Sequence, residues 1–258
     1  MKYLNKKTKK YIISILMLMF SSVFLTGCSA KEFTDKFYDN IIKEQRYKYI
    51  LEGLGNTFII TIFAGLIGVF LGFILAVIRV THDKKGSFKI SNLLVKLYLT
   101  IIRGTPVMVQ LIIIYYVIFA SVNINKMFVA VIAFGLNSAA YVAEIIRSGI
   151  MSIDIGQFEA GHSLGLKYTS VMIHIILPQA LKNVLPALAN EFITLLKETS
   201  ISGYIGLNDL TRGGMIIRSI TYEAMFPLLL VALIYLVLVV GLSSLVSRLE
   251  RRLKKNER

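Results

Sequence analysis

Two stretches of the chain, Thr57 to Ile78 and Ala224 to Val246, contain no charged side chain at all. Each is long enough to cross the hydrocarbon core of a bilayer as a helix, which takes roughly 20 apolar residues. Thr105 to Val122 and Met127 to Ala143 are shorter uncharged runs of the same kind. Composition points the same way: 55% of the residues are hydrophobic and 17% are charged, where soluble domains carry about 25% charge, and the mean hydropathy is +0.68. The expected fold is an all-α membrane protein that crosses the bilayer several times.

A net charge of +14 would suit nucleic acid if it were spread over a soluble surface, but here the cations lie between apolar blocks. Clusters of Lys and Arg in that position mark cytoplasmic loops. One runs through Arg79, Lys84, Lys85, Lys89 and Lys96, and another fills the tail from Arg248 through Arg251, Arg252, Lys254 and Lys255 to Arg258. The partner of this charge is therefore the membrane and not nucleic acid.

Residues 1 to 30 read as an export signal, with Lys2, Lys6, Lys7, Lys9 and Lys10 ahead of an apolar stretch from Tyr11 to Phe24. Leu25-Thr26-Gly27-Cys28 resembles the bacterial lipoprotein box, which makes Cys28 a lipidation site. The alternative is an uncleaved membrane helix from Tyr11 to Ala30. Either way residue 29 onward lies outside, and the segment from 31 to 53 agrees, since its acidic and basic residues balance. With one cysteine no internal disulfide exists.

From outside, a first core helix over about Thr57 to Ile78 leads to a basic cytoplasmic loop, Arg79 to Lys96. A second helix around Thr105 to Val122 returns, and a third, about Met127 to Arg147, crosses inward again. Residues 148 to 182 are expected to form a long cytoplasmic loop. A fourth helix, roughly Val184 to Ser202, and a fifth, Ala224 to Val246, complete a transmembrane domain over 54 to 247, followed by the basic tail from 248 to 258. Ala64, Gly68, Gly72 and Ala76 place a small residue at every fourth position, a stripe for close helix packing. No second copy of the unit is present, so a symmetric or pseudo-symmetric dimer is expected.

The loop after the third helix carries the most specific signal. Asp154 can cap a helix, with Gln157 three residues on as in a capping box, and Gly165 can end that helix in a left-handed turn. Thr169 or Ser170 can start the next helix, and Pro178 and Pro186 punctuate the approach to the fourth span. A helix, a glycine turn and a second helix would project into the cytoplasm as a docking shape.

Here the sequence resembles the permease subunits of binding-protein-dependent ABC importers. Their cytoplasmic signature is Glu-Ala-Ala, three residues, Gly, nine residues, then Ile-x-Leu-Pro. Glu159-Ala160-Gly161, Gly165 and Ile175-Ile176-Leu177-Pro178 fall in that pattern, with Gly161 in place of the second alanine. The resemblance runs from about Gly53 to Val246 and is similar in detail to the polar amino-acid uptake family, through Leu54-Gly-Asn-Thr57, Arg103-Gly-Thr-Pro-Val-Met-Val-Gln110, Ala133 to Arg147, Leu177 to Leu181 and Asn190 to Ser200. It implies the five-helix core of a type I importer in a bacterial cytoplasmic membrane. It also implies two permease subunits, identical or paralogous, an external amino-acid-binding protein, and a separate ATPase that carries ATP and Mg. Asp154, Glu159, Ala160, Gly161, Gly165, Leu177 and Pro178 would form the coupling segment, Glu159 pairing with a basic group of the ATPase. The chain itself has no Gly-x-x-x-x-Gly-Lys-Ser/Thr phosphate loop, so hydrolysis belongs to the partner and no cofactor is assigned to this subunit.

Ionisable groups inside spans are costly and are functional candidates. Asn137, Tyr141 and Glu144 share one face of the third helix, and Asn190, Thr194 and Lys197 share one of the fourth, with Glu191 and Glu198 on an adjoining face. Carboxylates and an ammonium together would suit a zwitterionic amino acid. The structural alternative pairs Glu144 with Arg147 and Lys197 with Glu198. Arg103 stands at the entrance of the second helix, as a pathway group or an interfacial cation. His82, His162 and His174 form no zinc spacing, and an ion-driven transporter would not require the docking loop.

Overall fold

A computed structural model describes residues 30–255. After a short helix α1 (Ala30–Phe37), helix α2 runs unbroken from Tyr47 to Lys85. It contains the expected span and continues beyond both of its ends. The outer segment expected from 31 to 53 thus includes the first turns of α2. Gly86 closes this helix, its N–H donating to the His82 carbonyl at 2.8 Å.

The basic stretch from Arg79 to Lys96 is not a loop, contrary to expectation. Only Gly86 to Phe88 separate α2 from α3 (Lys89–Gly104). Helix α3 is amphipathic: Asn92, Val95 and Leu99 face inward while Ile90, Leu93, Leu94 and Leu97 are exposed. Burial of one face stabilises it as a helix despite its charges. The second span is accordingly a bent pair, α3 and α4 (Val107–Ile113, continued by a widened turn to Ile118), meeting at 107°. Pro106 is the cause, since it has no N–H to give and forces Thr105 into an extended conformation at φ −121°, ψ 147°.

Helix α5 (Lys126–Met151) is capped by Asn125, whose side chain accepts from the Met127 N–H. It packs along α2 more extensively than any other pair of helices. The small-residue stripe makes this possible: a Cβ at Gly72 would stand 2.6 Å from Val142, and Ala64 and Ala76 are fully buried. Next come α6 (Ile155–Ser163) and α7 (Tyr168–Val171), which passes through a widened turn, Met172–Ile176, into α8 (Leu177–Glu198). The second loop helix therefore starts at Tyr168 and merges with the fourth span, which begins ahead of Val184. The wide turn gives Pro178 room next to the preceding carbonyls, and α8 runs on without a break past Pro186 in its interior. A tight stretch, Thr199–Ile205, leads to α9 (Leu210–Thr221), and α10 (Met225–Lys255) finishes the described chain. The signal-like segment and Cys28 lie outside the described residues.

Among the described residues four helices are long and apolar enough to cross a membrane, or five with the bent pair. The core divides along their length. Near the end of α2 that carries Arg79, here the basic end, Val80, Ile146, Ile150, Phe158 and Ile176 pack together. Toward the opposite end Ile60, Leu111, Phe134, Leu195 and Ile205 do so. Beyond them Ile41, Ile50, Leu210, Ile217 and Val231 attach α9 to α2 and α10.

Candidate coupling loop and translocation clefts

Helix α6 begins where Asp154 accepts from the Gly156 N–H at 2.7 Å. The Gln157 backbone N–H bonds the Asp154 carbonyl at 3.1 Å, which completes the first turn. One face of α6 is anchored to the bundle. Phe158 is buried, its ring stacks on Tyr168 with centroids 6.3 Å apart, and Lys84 at the end of α2 lies over the same ring at 4.3 Å. Gly161 is buried too, and a Cβ there would meet Val171 at 2.7 Å. The exchange of alanine for glycine thus lets α6 close onto α7. At Gly165 φ is +76°, and its N–H donates to the His162 carbonyl at 2.8 Å. That left-handed turn suits glycine and strains most other residues.

The opposite face of the loop is free. Ile155, Glu159, Ala160 and Leu164 are exposed, Leu164 to 80%. Glu159 makes no ion pair among the described residues. Exposed apolar groups beside an unpaired carboxylate suit a protein partner. Leu177 packs into the core behind the loop while Pro178 is exposed.

The intramembrane polar groups separate into three settings. Asn137 is buried and donates to the Gln110 Oε1 at 2.9 Å. Gln110 in turn donates to the Ile102 carbonyl at 2.7 Å and to Thr105 Oγ1 at 2.8 Å. This staple satisfies polar groups at the bend between α3 and α4. Tyr141 and Glu144 line a second setting, a cleft of about 530 Å³ shared with Arg79, Lys96 and Arg103. Glu144 accepts from Arg147 at 2.6 and 3.1 Å, the structural pairing that the sequence allowed. Arg103 is 3.8 Å from Glu144, and Arg147 is 3.6 Å from Asp83.

The third setting is an apolar cleft of about 780 Å³ between α2, α5 and α8. Among the described residues Glu191 is the only ionisable group lining it, and it accepts from Ser138 Oγ at 3.2 Å. Asn190 and Lys197 are exposed, Thr194 bonds back to the Asn190 carbonyl at 3.2 Å, and none of these three, nor Glu198, lines either cleft.

Asp209 was not singled out from the sequence. It is fully buried, caps α9 through the Thr211 N–H at 2.8 Å, and burial pushes its carboxyl up to about 6. Nothing in its neighbourhood in sequence announces burial, because the groups covering it come from distant elements. No group of three metal-ligating side chains occurs among the described residues.

Residues 68–255 match the model of the family described as "Binding-protein-dependent transport system inner membrane component". The chain belongs to this family. Among its relatives is an arginine transport system permease protein of Bacillus subtilis, 41% identical over 81% of this chain and 94% of the relative. A putative glutamine transport system permease protein of Rickettsia typhi is 38% identical over 86% of this chain and 97% of the relative. Such relatives are transport permeases, and this member of the family is a transport subunit and not an enzyme. In fold it is similar to a solved amino acid ABC transporter with histidines, at TM-score 0.74 and 43% identity, covering 80% of this chain and 94% of that one. A methionine ABC transporter in an inward-facing conformation shares the fold at TM-score 0.68 and 21% identity, over 82% and 99% of the two chains. The bent pair therefore counts as one span of the five-helix importer permease core.

Proposed function

We propose that this chain forms the translocation pathway for a polar amino acid and couples it to ATP hydrolysis on a separate ATPase subunit, which holds the ATP and Mg. The observation that carries the reading is α6. It is fixed to α2 by Phe158 and Lys84 and to α7 by Gly161, while Glu159, Ala160 and Leu164 remain exposed. A partner that pushes on the exposed face moves α2 and α8 through the buried one. Asp154 and Gly165 hold the shape of this coupling segment, and Leu177 and Pro178 join it to α8.

The relatives named for arginine and glutamine support a polar amino acid as substrate. Glu191 in the apolar cleft and Glu144 in the basic one are the pathway groups best placed to meet it, with Tyr141 beside the latter. Asn137 acts through the bend, and Asn190, Thr194, Lys197 and Glu198 would reach substrate only from a surface shared with a second permease, identical or paralogous. The external partner is an amino-acid-binding protein. The basic end faces the cytoplasm of a bacterial cell membrane, under the positive-inside rule. Residues 1 to 30 act either as a signal cleaved before a lipidated Cys28 or as an uncleaved first membrane helix in which Cys28 is an ordinary membrane residue, 31 to 53 lie outside, and 54 to 247 are the permease domain, ahead of the basic tail from 248 to 258.

The test is uptake of labelled arginine, glutamine and histidine into vesicles holding this chain, its ATPase and its binding protein, with and without ATP. Uptake of at least one that requires ATP is expected. Uptake that follows an ion gradient without ATP would overturn the reading.

A further inference from the structure

The cleft of about 530 Å³ at the basic end carries more positive charge in its lining than a zwitterion met by Glu144 and Tyr141 requires. Three cations, Arg79, Lys96 and Arg103, surround it with Thr100, Tyr141 and a single carboxylate, Glu144. That carboxylate is already engaged by Arg147 through two hydrogen bonds. Arg103 is 3.8 Å from it and otherwise lies 5.8 Å from the Tyr141 ring. Arg79 donates one bond, to Asn92 Oδ1 at 3.2 Å, and its Nε is buried with no hydrogen-bond partner. Positive charge is therefore left in excess, part of it desolvated, around an open space. An anion seated in the cleft would be attracted by this unbalanced charge, through the side chains of Lys96 and Arg103, which are exposed.

The surroundings say what kind of anion. The uncharged run of α2 ends at Ile78, so Arg79 stands where hydrocarbon gives way to the polar interface. On α3, Lys89, Lys96 and Arg103 recur every seven residues and make one cationic face. Beside it runs an exposed apolar stripe of Ile90, Leu93, Leu94, Leu97 and Ile101. A helix with adjoining cationic and apolar stripes suits the boundary between anionic headgroups and acyl chains.

We propose that the Arg79–Lys96–Arg103 cleft binds the phosphate of an anionic phospholipid whose acyl chains lie along the apolar stripe of α3. Arg79 and Arg103 supply planar donors from two elements, and Lys96 supplies a mobile charge at the mouth. The bound lipid bridges the end of α2 to α3 next to the bend at Pro106.

The experiment is native mass spectrometry of the intact chain carried in detergent, with added phosphatidylglycerol, phosphatidylcholine or 10 mM inorganic phosphate as probes. It reads binding without transport, so it stands apart from the test of uptake. Retention of phosphatidylglycerol over phosphatidylcholine is expected, with affinity falling about fivefold for each cation removed in Lys96→Gln and Arg103→Gln. Lys96 is exposed, so Lys96→Gln leaves folding untouched. Equal retention of both lipids, or phosphatidylglycerol binding unchanged in Lys96→Gln and Arg103→Gln alike, would overturn the proposal. So would inorganic phosphate that binds in a manner sensitive to these substitutions while the lipid does not, since the site would then serve a soluble anion.

Discussion

Lys84 lies over the ring of Phe158, its ammonium 4.3 Å from the centroid. One residue ends the first long span, and the other sits at the middle of the exposed loop helix. The contact continues inward by ion pairs: Asp83, next to Lys84, meets Arg147 at 3.6 Å, and Arg147 holds Glu144, which faces Arg103. The loop is thereby wired to α2, α5 and α3 at once.

Removing the anchor should uncouple the loop. Phe158→Ala empties a buried site at a cost of about 3 to 5 kcal/mol, whereas Lys84→Met keeps most of the packing and loses about 0.5 to 1 kcal/mol of cation–π attraction. ATP-driven uptake is expected to fall severalfold in Lys84→Met at normal chain levels. Uptake equal to the parent would show that the contact does not transmit.

Gly161 and Val171 form a fitted pair. Gly161→Ala places a methyl group 2.7 Å from Val171 and should cost about 1 to 3 kcal/mol. Adding Val171→Ala should recover most of this, as coupled neighbours do. Thermal unfolding of the two single variants and the double variant checks it, and strict additivity would refute the fit.

Asn137 and Gln110 maintain the bend between α3 and α4. Asn137→Leu leaves the Gln110 oxygen unpaired in a buried site, at a cost of about 1 to 3 kcal/mol. The variant carrying both Asn137→Leu and Gln110→Leu takes the Gln110 donor from the Ile102 and Thr105 carbonyls, 2.7 and 3.0 Å away, and should be no more stable. Denaturation midpoints of the parent and the two variants test the order.

Asp209 gives a pH signature. Its carboxyl is raised to about 6 by burial, above the usual value near 3.9 of an unfolded chain. Between those values the folded state binds a proton that the unfolded state has released, so stability rises as pH falls from 7 toward 4. The slope approaches about 1.4 kcal/mol per pH unit at most. Asp209→Asn keeps a capping side chain and should flatten this part of the curve. An unchanged slope in melting temperature against pH would exclude Asp209 as the source.

The sequence made the spans legible because uncharged length is a local property, and the capped helix with its glycine turn because Asp154 and Gly165 act on their own neighbours. The bend at Pro106 was less legible. Apolar content places a span over Thr105 to Val122, but the amphipathic face of α3 gains its stability from Ala140 and Ala143 on α5, which hydropathy alone does not bring together. The pairing of Ser138 with Glu191 joins residues 53 apart in sequence, and the ring of Phe158 meets Lys84 from another helix. Such contacts depend on how helices are laid side by side. Periodicity put Asn137, Tyr141 and Glu144 on one face correctly, yet the structure assigns the first to a staple and the others to a cleft.

The most direct measurement is the number of amino-acid molecules imported per ATP hydrolysed in vesicles containing the complex with Gly165→Val beside the parent. A β-branched residue at φ +76° strains the turn by roughly 1 to 2 kcal/mol, and no atom lies within 4 Å of its new Cβ, so the damage stays in the turn. If α6 is the coupling contact, the ratio should drop at least tenfold while the chain remains inserted. An unchanged ratio in a normally assembled complex would contradict it.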